Sequence, residues 1–86
     1  MRETSEIEIS FEEDSVHTEA RASVVLRGAT FTGWGRARRN PSDTNVPMIG
    51  EQLATARALS DLAHELVEAA AETISEAEGQ PVRLPG

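Results

Sequence analysis

The architecture of this 86-residue chain is predicted from residues 20–37, ARASVVLRGATFTGWGRA. Apolar or small side chains alternate with polar ones on both sides of Gly28, which is the pattern of two half-buried strands joined by a hairpin turn. A tight turn at Gly28 and Ala29 would place Ala22 opposite Gly35. The inner face of this hairpin then carries mainly alanine and glycine, so we expect a shallow trough that lets another backbone come close.

The segments on either side of this hairpin complete the fold. Residues 6–11, EIEISF, alternate strictly and predict a further strand with one apolar face. Residues 49–78 predict one helix, between a favourable start at Pro47 and an end at Gly79. Its expected apolar stripe is Ile49, Leu53, Ala56, Leu59, Ala63, Leu66, Ala70 and Ile74. The predicted fold class is α+β: a three-stranded antiparallel sheet in β-β-β-α order, with one long C-terminal helix packed on one face.

The chain length predicts a single domain, residues 1–79, followed by a flexible C-terminal arm, residues 80–86. A chain this short buries only about 60% of its unfolded surface. A helix of some 30 residues is about 45 Å long, whereas a strand of eight or nine residues spans about 28 Å. The helix end would overhang the sheet, and nothing covers the second sheet face. We therefore expect a homodimer.

Composition limits the classes of function. The chain has no cysteine, which removes disulfides, thiolate catalysis and the common zinc sites. No run approaches the ~20 apolar residues of a membrane span, and the acidic amino-terminal region has no signal-peptide pattern. The sequence predicts a cytoplasmic protein with no membrane contact. Its net charge of −7 repels polyanions at long range.

A cluster of arginines follows the only tryptophan, and it raises the question of nucleic-acid binding. In the predicted register, Arg36 lies opposite Arg21, Arg38 opposite Glu19, and glutamates of the first strand share the same face. We favour a cross-strand ladder of ion pairs; an anion or RNA contact and a dimer contact stay as alternatives. The candidate interaction surface comprises Trp34, Arg36, Arg38, Arg39, Arg21 and Val25.

Histidine and acidic residues give only weak indications of chemistry. His17 is expected to be solvated. Asp61, His64 and Glu68, at spacing i, i+3 and i+7, could share a helix face and contact a metal. We instead interpret the acidic residues as a water-facing stripe, which comprises Asp61, Glu65, Glu68, Glu72 and Glu76. Arg39 of a partner subunit could compensate this stripe. With no phosphate-binding loop and no nucleophile motif, we predict no enzyme, catalytic residue, cofactor or metal.

Four segments also resemble a known family: GRARRNP at 35–41, VP at 46–47, IGEQLA at 49–54 and ARALSDL at 56–62. They are similar to a small, mainly actinobacterial family catalogued as a domain of unknown function (number one-eight-seven-six). The resemblance covers roughly residues 6–68, with Gln52 as a departure where the pattern has an acid. It implies a compact α+β domain related to the double-stranded-RNA-binding fold without its first helix.

The resemblance also implies that members are usually dimeric, that some are associated with dormancy or low oxygen, and that the fold is like that of ribosome hibernation factors. It brings no catalytic residue. The leading expectation is a non-enzymatic homodimeric interaction protein, stress- or dormancy-related, with an unidentified protein partner. The alternative is a ribosome-associated or RNA-binding module of hibernation-factor type, which the net charge disfavours because phosphate neutralisation supplies most non-specific affinity.

Overall fold

A computed structural model of the chain describes residues 1–40, 42, 44–81 and 83–85. Within them the secondary structure is an antiparallel sheet of three strands in the order β1-β2-β3, followed by one helix. The elements are β1 Ile7–Glu13, β2 His17–Leu26, β3 Ala29–Arg38 and α1 Pro47–Glu78. The predicted α+β class and β-β-β-α order are confirmed. The relation to the double-stranded-RNA-binding fold stays a prediction.

The β2–β3 hairpin has a different register from the one predicted. Its two-residue turn is formed by Arg27 and Gly28, with φ of 47° and 81°, and Ala22 pairs with Gly33 rather than Gly35. Positive φ at both turn positions gives the twist that matches the flanking strands. An arginine seldom adopts such a φ, which is why the sequence placed the turn one residue too late. The two-residue shift leaves every side chain on its predicted face.

The helix rests almost directly on the backbone of β3. Gly33 and Gly35 are buried beneath it, as the trough predicts. A Cβ atom added to Gly33 would lie 2.7 Å from the Cα of Leu62, and one added to Gly35 would lie 2.9 Å from the carbonyl carbon of Arg57. The buried apolar core of the described residues is small: Ala20, Ala22, Val24, Ala37, Ala54, Ala58 and Leu62.

The buried face of α1 differs from the predicted stripe. Ala54, Ala58 and Leu62 face the sheet, whereas the larger predicted residues Ile49 and Leu53 remain 54% and 46% exposed. The predicted stripe therefore lies on a neighbouring side of the helix, one residue away from Ala54 and Leu62 at Leu53 and Ala63. Over a glycine trough the backbones approach so closely that only small side chains fit between them, so alanines occupy the contact. Leu66 of the predicted stripe does pack against the core.

The helix does not cover the first strand. α1 packs mainly on β3 and less on β2, so the inner face of β1 is left open, with Ile7 50% and Phe11 42% exposed. The helix is also longer than the sheet, because 32 residues span about 48 Å and ten strand residues about 33 Å. The molecule measures 54 × 29 × 17 Å.

The carboxyl end of the helix matches its prediction. α1 ends at Glu78, and Gly79 follows in the left-handed conformation with its N–H donating to the carbonyl of Ser75. Beyond it, the described residues Pro81, Arg83 and Leu84 lie along the overhanging part of the helix. The flexibility of the arm stays a prediction. No helix among the described residues is long and apolar enough to cross a membrane.

Candidate interaction surface

Five of the six predicted surface residues share the sheet face opposite the helix. Alternation along the strands puts them on this face, which no described element covers: Arg21 and Val25 from β2, and Trp34, Arg36 and Arg38 from β3. We call these five residues the outer surface. All five are exposed, with Trp34 and Val25 each at 55%.

Arg21 and Trp34 form the centre of the outer surface. They are register partners on β2 and β3, whereas the sequence predicted Ser23 opposite Trp34. The guanidinium carbon of Arg21 lies 5.9 Å from the centroid of the Trp34 ring, within cation–π range. The pair makes a flat, exposed platform with one aromatic and one cationic component.

The charges around this platform are mixed. The register aligns Glu12 of β1, Glu19 of β2 and Arg36 of β3 in one row, so acids lie one and two strand spacings from Arg36. Among the described residues, however, the outer-surface arginines have no carboxylate oxygen within 4.0 Å. The predicted ladder of direct ion pairs is therefore wrong for them. The shifted register removed one of its pairs, because Arg38 faces His17 instead of Glu19.

Arg39 does not lie with the other arginines. Its Nε and one terminal nitrogen donate to the carbonyl of Ser15 at 3.1 and 3.0 Å, and its backbone N–H donates to the carbonyl of Val16 at 2.7 Å. Through these hydrogen bonds Arg39 connects the end of β3 to the β1–β2 turn. Its predicted contact with a partner's acidic stripe stays a prediction, but its guanidinium already has these bonds.

A cavity of about 280 Å³ lies beside this turn at the start of α1. Thr18, Arg38 and Gly50 are among its lining residues, and the helix begins at Pro47 with no side-chain cap from Val46. Asp14 also lines it, but accepts the N–H groups of Val16 and His17 at 2.7 and 2.6 Å. These backbone hydrogen bonds lower the pKa of Asp14 below 3.8. The carboxylate of Asp14 is thus a structural part of the turn.

The histidines take part in short-range pairs on the surface. His17 Nδ1 lies 3.7 Å from Asp14, and His64 Nε2 lies 3.2 Å from Glu68, with most of each His64 and Glu68 side chain exposed. The described residues contain no group of three or more potential ligands that could hold a metal ion. Asp61, the third member of the predicted helix group, has a different partner.

Asp61 and Arg57 close the free edge of β3. Asp61 Oδ2 accepts the backbone N–H of Trp34 at 2.8 Å, and a terminal nitrogen of Arg57 donates to the carbonyl of Arg36 at 2.7 Å. Sequence analysis placed Asp61 in the water-facing stripe and gave Arg57 no role. These two residues reach the backbone of β3 only because the helix lies along that strand. No sequence signal could have identified this role.

The helix also contacts the first strand, at one pair of acidic residues. Glu13 at the end of β1 meets Glu51 in the first turns of α1, and a side-chain hydrogen bond between the two raises the pKa of Glu13 above 4.5. Loss of water around Glu13 and the negative charge of Glu51 act in the same direction. Two carboxyl groups at this junction favour retention of one proton between them.

With the fold and surface established, the comparisons with known proteins assign the family. The sequence model of the Rv2632c-like family matches residues 3–83. The chain belongs to the Rv2632c-like family. Rv2632c of Mycobacterium tuberculosis (strain ATCC 25618 / H37Rv), an uncharacterized protein, is 40% identical over 79 residues, covering 92% of this chain and 85% of that protein. The uncharacterized protein MT1780 of M. tuberculosis (strain CDC 1551 / Oshkosh) is 41% identical over 78 residues, covering 91% and 83%.

A crystal structure of Rv2632c supports the same assignment. It superposes with a TM-score of 0.84 at 38% sequence identity, over 94% of this chain and 96% of that chain. The α+β fold is thus shared within the Rv2632c-like family. The predicted membership of a small family of unknown function with relatives in mycobacteria is confirmed. Its number and its link with dormancy stay predictions.

Proposed function

We propose that this Rv2632c-like protein is a non-enzymatic homodimer that acts by binding another macromolecule. The observation that carries the proposal is the mismatch between size and surface. The chain exposes 6694 Å², whereas a compact monomer of 9.3 kDa exposes about 5,000 Å². Its radius of gyration is 16.4 Å, against about 12 Å for a compact domain of this length.

The distribution of apolar side chains supports a partner subunit. Leu62 is the only large side chain among the described residues that is fully buried. Ile7, Phe11 and Leu59 are between 38% and 50% exposed. The excess surface of about 1,700 Å² per chain is more than the ~800 Å² that each partner contributes to an ordinary stable interface.

The outer surface supports binding of a further protein. Trp34 is more than half exposed beside three arginines, and tryptophan and arginine are the residue types enriched at binding hot spots. A role in stress or dormancy agrees with the family resemblance given above. The histidines lie in exposed two-residue pairs, which supports a binding role over catalysis.

The dimer is tested by sedimentation equilibrium of the purified chain at micromolar concentration. We expect a mass twice that of the 9.3 kDa chain. A mass of one chain across the whole concentration range would contradict the proposal, because the exposed apolar surface would then be stable in water without a partner.

A second candidate function is RNA or ribosome binding, and the Arg21–Trp34 platform is the observation that favours it. An aromatic ring beside a guanidinium can stack on a nucleotide base. Against it stands the net charge of −7. Titration with single-stranded RNA or ribosomes across a salt series separates the two functions. Affinity that falls steeply with salt favours RNA; absent or salt-independent binding favours a protein partner.

Matched variants assign any RNA binding to the surface. Arg36→Ala with Arg38→Ala removes two charges from the outer surface, whereas Arg2→Ala with Arg83→Ala removes two exposed charges elsewhere. If RNA is the ligand, the first double variant loses affinity and salt dependence, and the second changes little. Equal losses in both would indicate non-specific electrostatic attraction.

A further inference from the structure

We propose that two copies of the chain join edge to edge through β1, forming one continuous antiparallel sheet of six strands. This inference rests on the homodimer proposed above and names the surface that joins it. The partner is a second copy because each chain leaves both an apolar face and a free strand edge at β1, and a two-fold axis lets the same surface complete itself.

The two edges of the sheet are not equivalent. At β3, the backbone N–H of Trp34 and the carbonyl of Arg36 point away from β2, and Asp61 and Arg57 bind them. An added strand would have to displace both side chains. The β3 edge is therefore closed to pairing around Trp34 and Arg36, in the manner by which proteins cover edge strands.

The β1 edge is open. In an antiparallel pair the backbone groups of successive residues point alternately toward and away from the neighbouring strand. Since Trp34 points away from β2, its register partner Arg21 points toward β1 and bonds with Ser10. Ile7, Ile9 and Phe11 therefore turn their N–H and C=O groups to the free edge. No described side chain or loop forms a hydrogen bond with them.

The same three residues carry the apolar side chains of the uncovered inner face. Ile7 is 50% and Phe11 42% exposed, and Ile9 is half-buried against the core. Pairing of β1 with a second β1 satisfies the free backbone groups and sets these side chains against their counterparts. The large apolar area that α1 leaves open is thereby brought into the middle of the dimer.

Apolar matching selects one register of the two-fold pair. With Ile9 opposite the partner's Ile9, Ile7 lies opposite the partner's Phe11, and all three facing pairs are apolar. Shifting the partner strand by two residues in one direction places Ile7 opposite the partner's Glu13. The same shift in the other direction places Glu8 opposite the partner's Glu8. In the selected register Glu8 lies opposite the partner's Ser10 on the outer face.

Disulfide trapping tests this register, because the chain has no cysteine of its own. Glu8 and Ser10 point their backbone groups toward β2, so across the seam they form a non-hydrogen-bonded pair with Cα atoms about 4.5 Å apart. That separation suits a disulfide. We would prepare Glu8→Cys and Ser10→Cys separately, mix them at equal concentration, oxidise and quantify covalent dimer. Both positions are exposed, so neither change disturbs the core.

We expect at least about tenfold more covalent dimer in the mixture than in either variant alone. In a dimer of one variant, the two cysteines are not opposite each other but are offset by two residues along the strands, which is too far for a disulfide. The control is a mixture of Trp34→Cys and Arg36→Cys, which have the same spacing and face and lie where Asp61 and Arg57 close the β3 edge. We expect little product from it.

The outcomes separate this inference from the homodimer itself. A dimeric mass with no preferential trapping in the Glu8 and Ser10 mixture overturns the β1 seam and leaves the homodimer standing. Trapping in the Trp34 and Arg36 mixture instead would place the seam at β3. A monomeric mass would remove both proposals.

Discussion

The two edge strands of this small sheet, β3 and β1, differ in the size and the burial of their inner side chains. At β3 the helix meets Gly33 and Gly35, and the contact is made by Ala54 and Ala58, which are fully buried. At β1 the side chains are large, and they are left open to solvent in the single chain. The contact between α1 and β3 is therefore made mostly by small residues, whereas the large apolar residues of β1 are exposed.

This difference shows that burial follows backbone separation and not only hydrophobicity. A glycine strand lets a helix approach until its own backbone is the contact, and no bulky side chain fits there. The closeness of α1 to β3 draws the helix away from β1. The close packing at β3 thus leaves the apolar side chains of β1 exposed in the single chain, and these are the ones that the proposed dimer would cover.

Gly35→Ala tests the tight half and has the largest expected effect. The added Cβ would lie 2.9 Å from the carbonyl carbon of Arg57, and still closer to two other backbone atoms of the helix, so α1 must move away. We expect the free energy of unfolding to fall by about 3 kcal/mol, at the upper end for overpacking, as measured by urea denaturation. Ser23→Ala on β2 is the control, with an expected change below about 0.5 kcal/mol. Equal values would show that the close approach is absent in solution.

Leu62→Ala and Phe11→Ala compare the two halves directly. Leu62 is 2% exposed, so its truncation should cost about 3 kcal/mol. Phe11 is 42% exposed in one chain. In the proposed dimer it packs against the partner, so Phe11→Ala should raise the dimer dissociation constant at least about tenfold, or about 1.4 kcal/mol. Sedimentation equilibrium measures this. A Phe11→Ala protein that dimerises normally would show that this side chain is not covered by a second copy.

Asp61→Asn tests the closed edge. Loss of the charged acceptor weakens the hydrogen bond to the Trp34 N–H, and we expect about 1 kcal/mol lower stability. Assemblies larger than the dimer should also appear in light scattering as β3 becomes available for pairing. Glu65→Gln removes the same charge one turn further along α1, at an exposed position, and should do neither. Matching behaviour of the two variants would argue against an edge-closing role.

Glu13→Gln has the smallest expected effect and tests the junction of α1 with β1. The raised pKa of Glu13 means that the folded state holds its proton more firmly than the unfolded state. This contribution is fully present below pH 4.5 and is lost as the pH rises through the folded pKa. At pH 7 two charged carboxylates oppose each other, so the variant should melt slightly above the wild type, and the gain should vanish below pH 4.5. Glu8→Gln is the control without this partner.

Asp14 should give the opposite pH dependence. Its pKa is lowered by the N–H groups of His17 and Val16. Its contribution is therefore present above pH 3.8 and is lost as the pH falls through the lower folded value. Melting temperatures recorded from pH 3 to 7 for Asp14→Asn would show the variant less stable than the wild type at pH 7 and equal to it at the acid end.

The pattern of alternating and helical residues was sufficient to predict the elements, their order and the face of each strand residue. The strand faces survived the error in register because that error was an even number of residues. The turn was misplaced since Arg27 adopts a conformation that its side chain does not favour. The buried face of α1 was missed because the contact depends on a distance between backbones, which the residue pattern does not contain.

The candidate surface was predicted in part. Alternation identified the five outer-surface residues, but not which of them touch, so the Arg21–Trp34 pair emerged only from the register. Arg39 was grouped with its neighbours in sequence, although an odd step along the strand turns it to the other side. Asp61 and Arg57 act across 27 and 21 residues of chain, a distance over which no local pattern extends.

Both side chains that close the β3 edge belong to α1, so the edge is protected at Trp34 and Arg36 only while the helix stays in place. If heating detaches the first half of α1 from the sheet, the backbone edge of β3 and the glycine trough become exposed to solvent at the same time. The earliest partly opened molecule would then present a flat ribbon with few bulky groups, which is a template for stacking. We expect turbidity on heating to begin while strand content is still high, and a bound ligand that holds α1 in place to delay it.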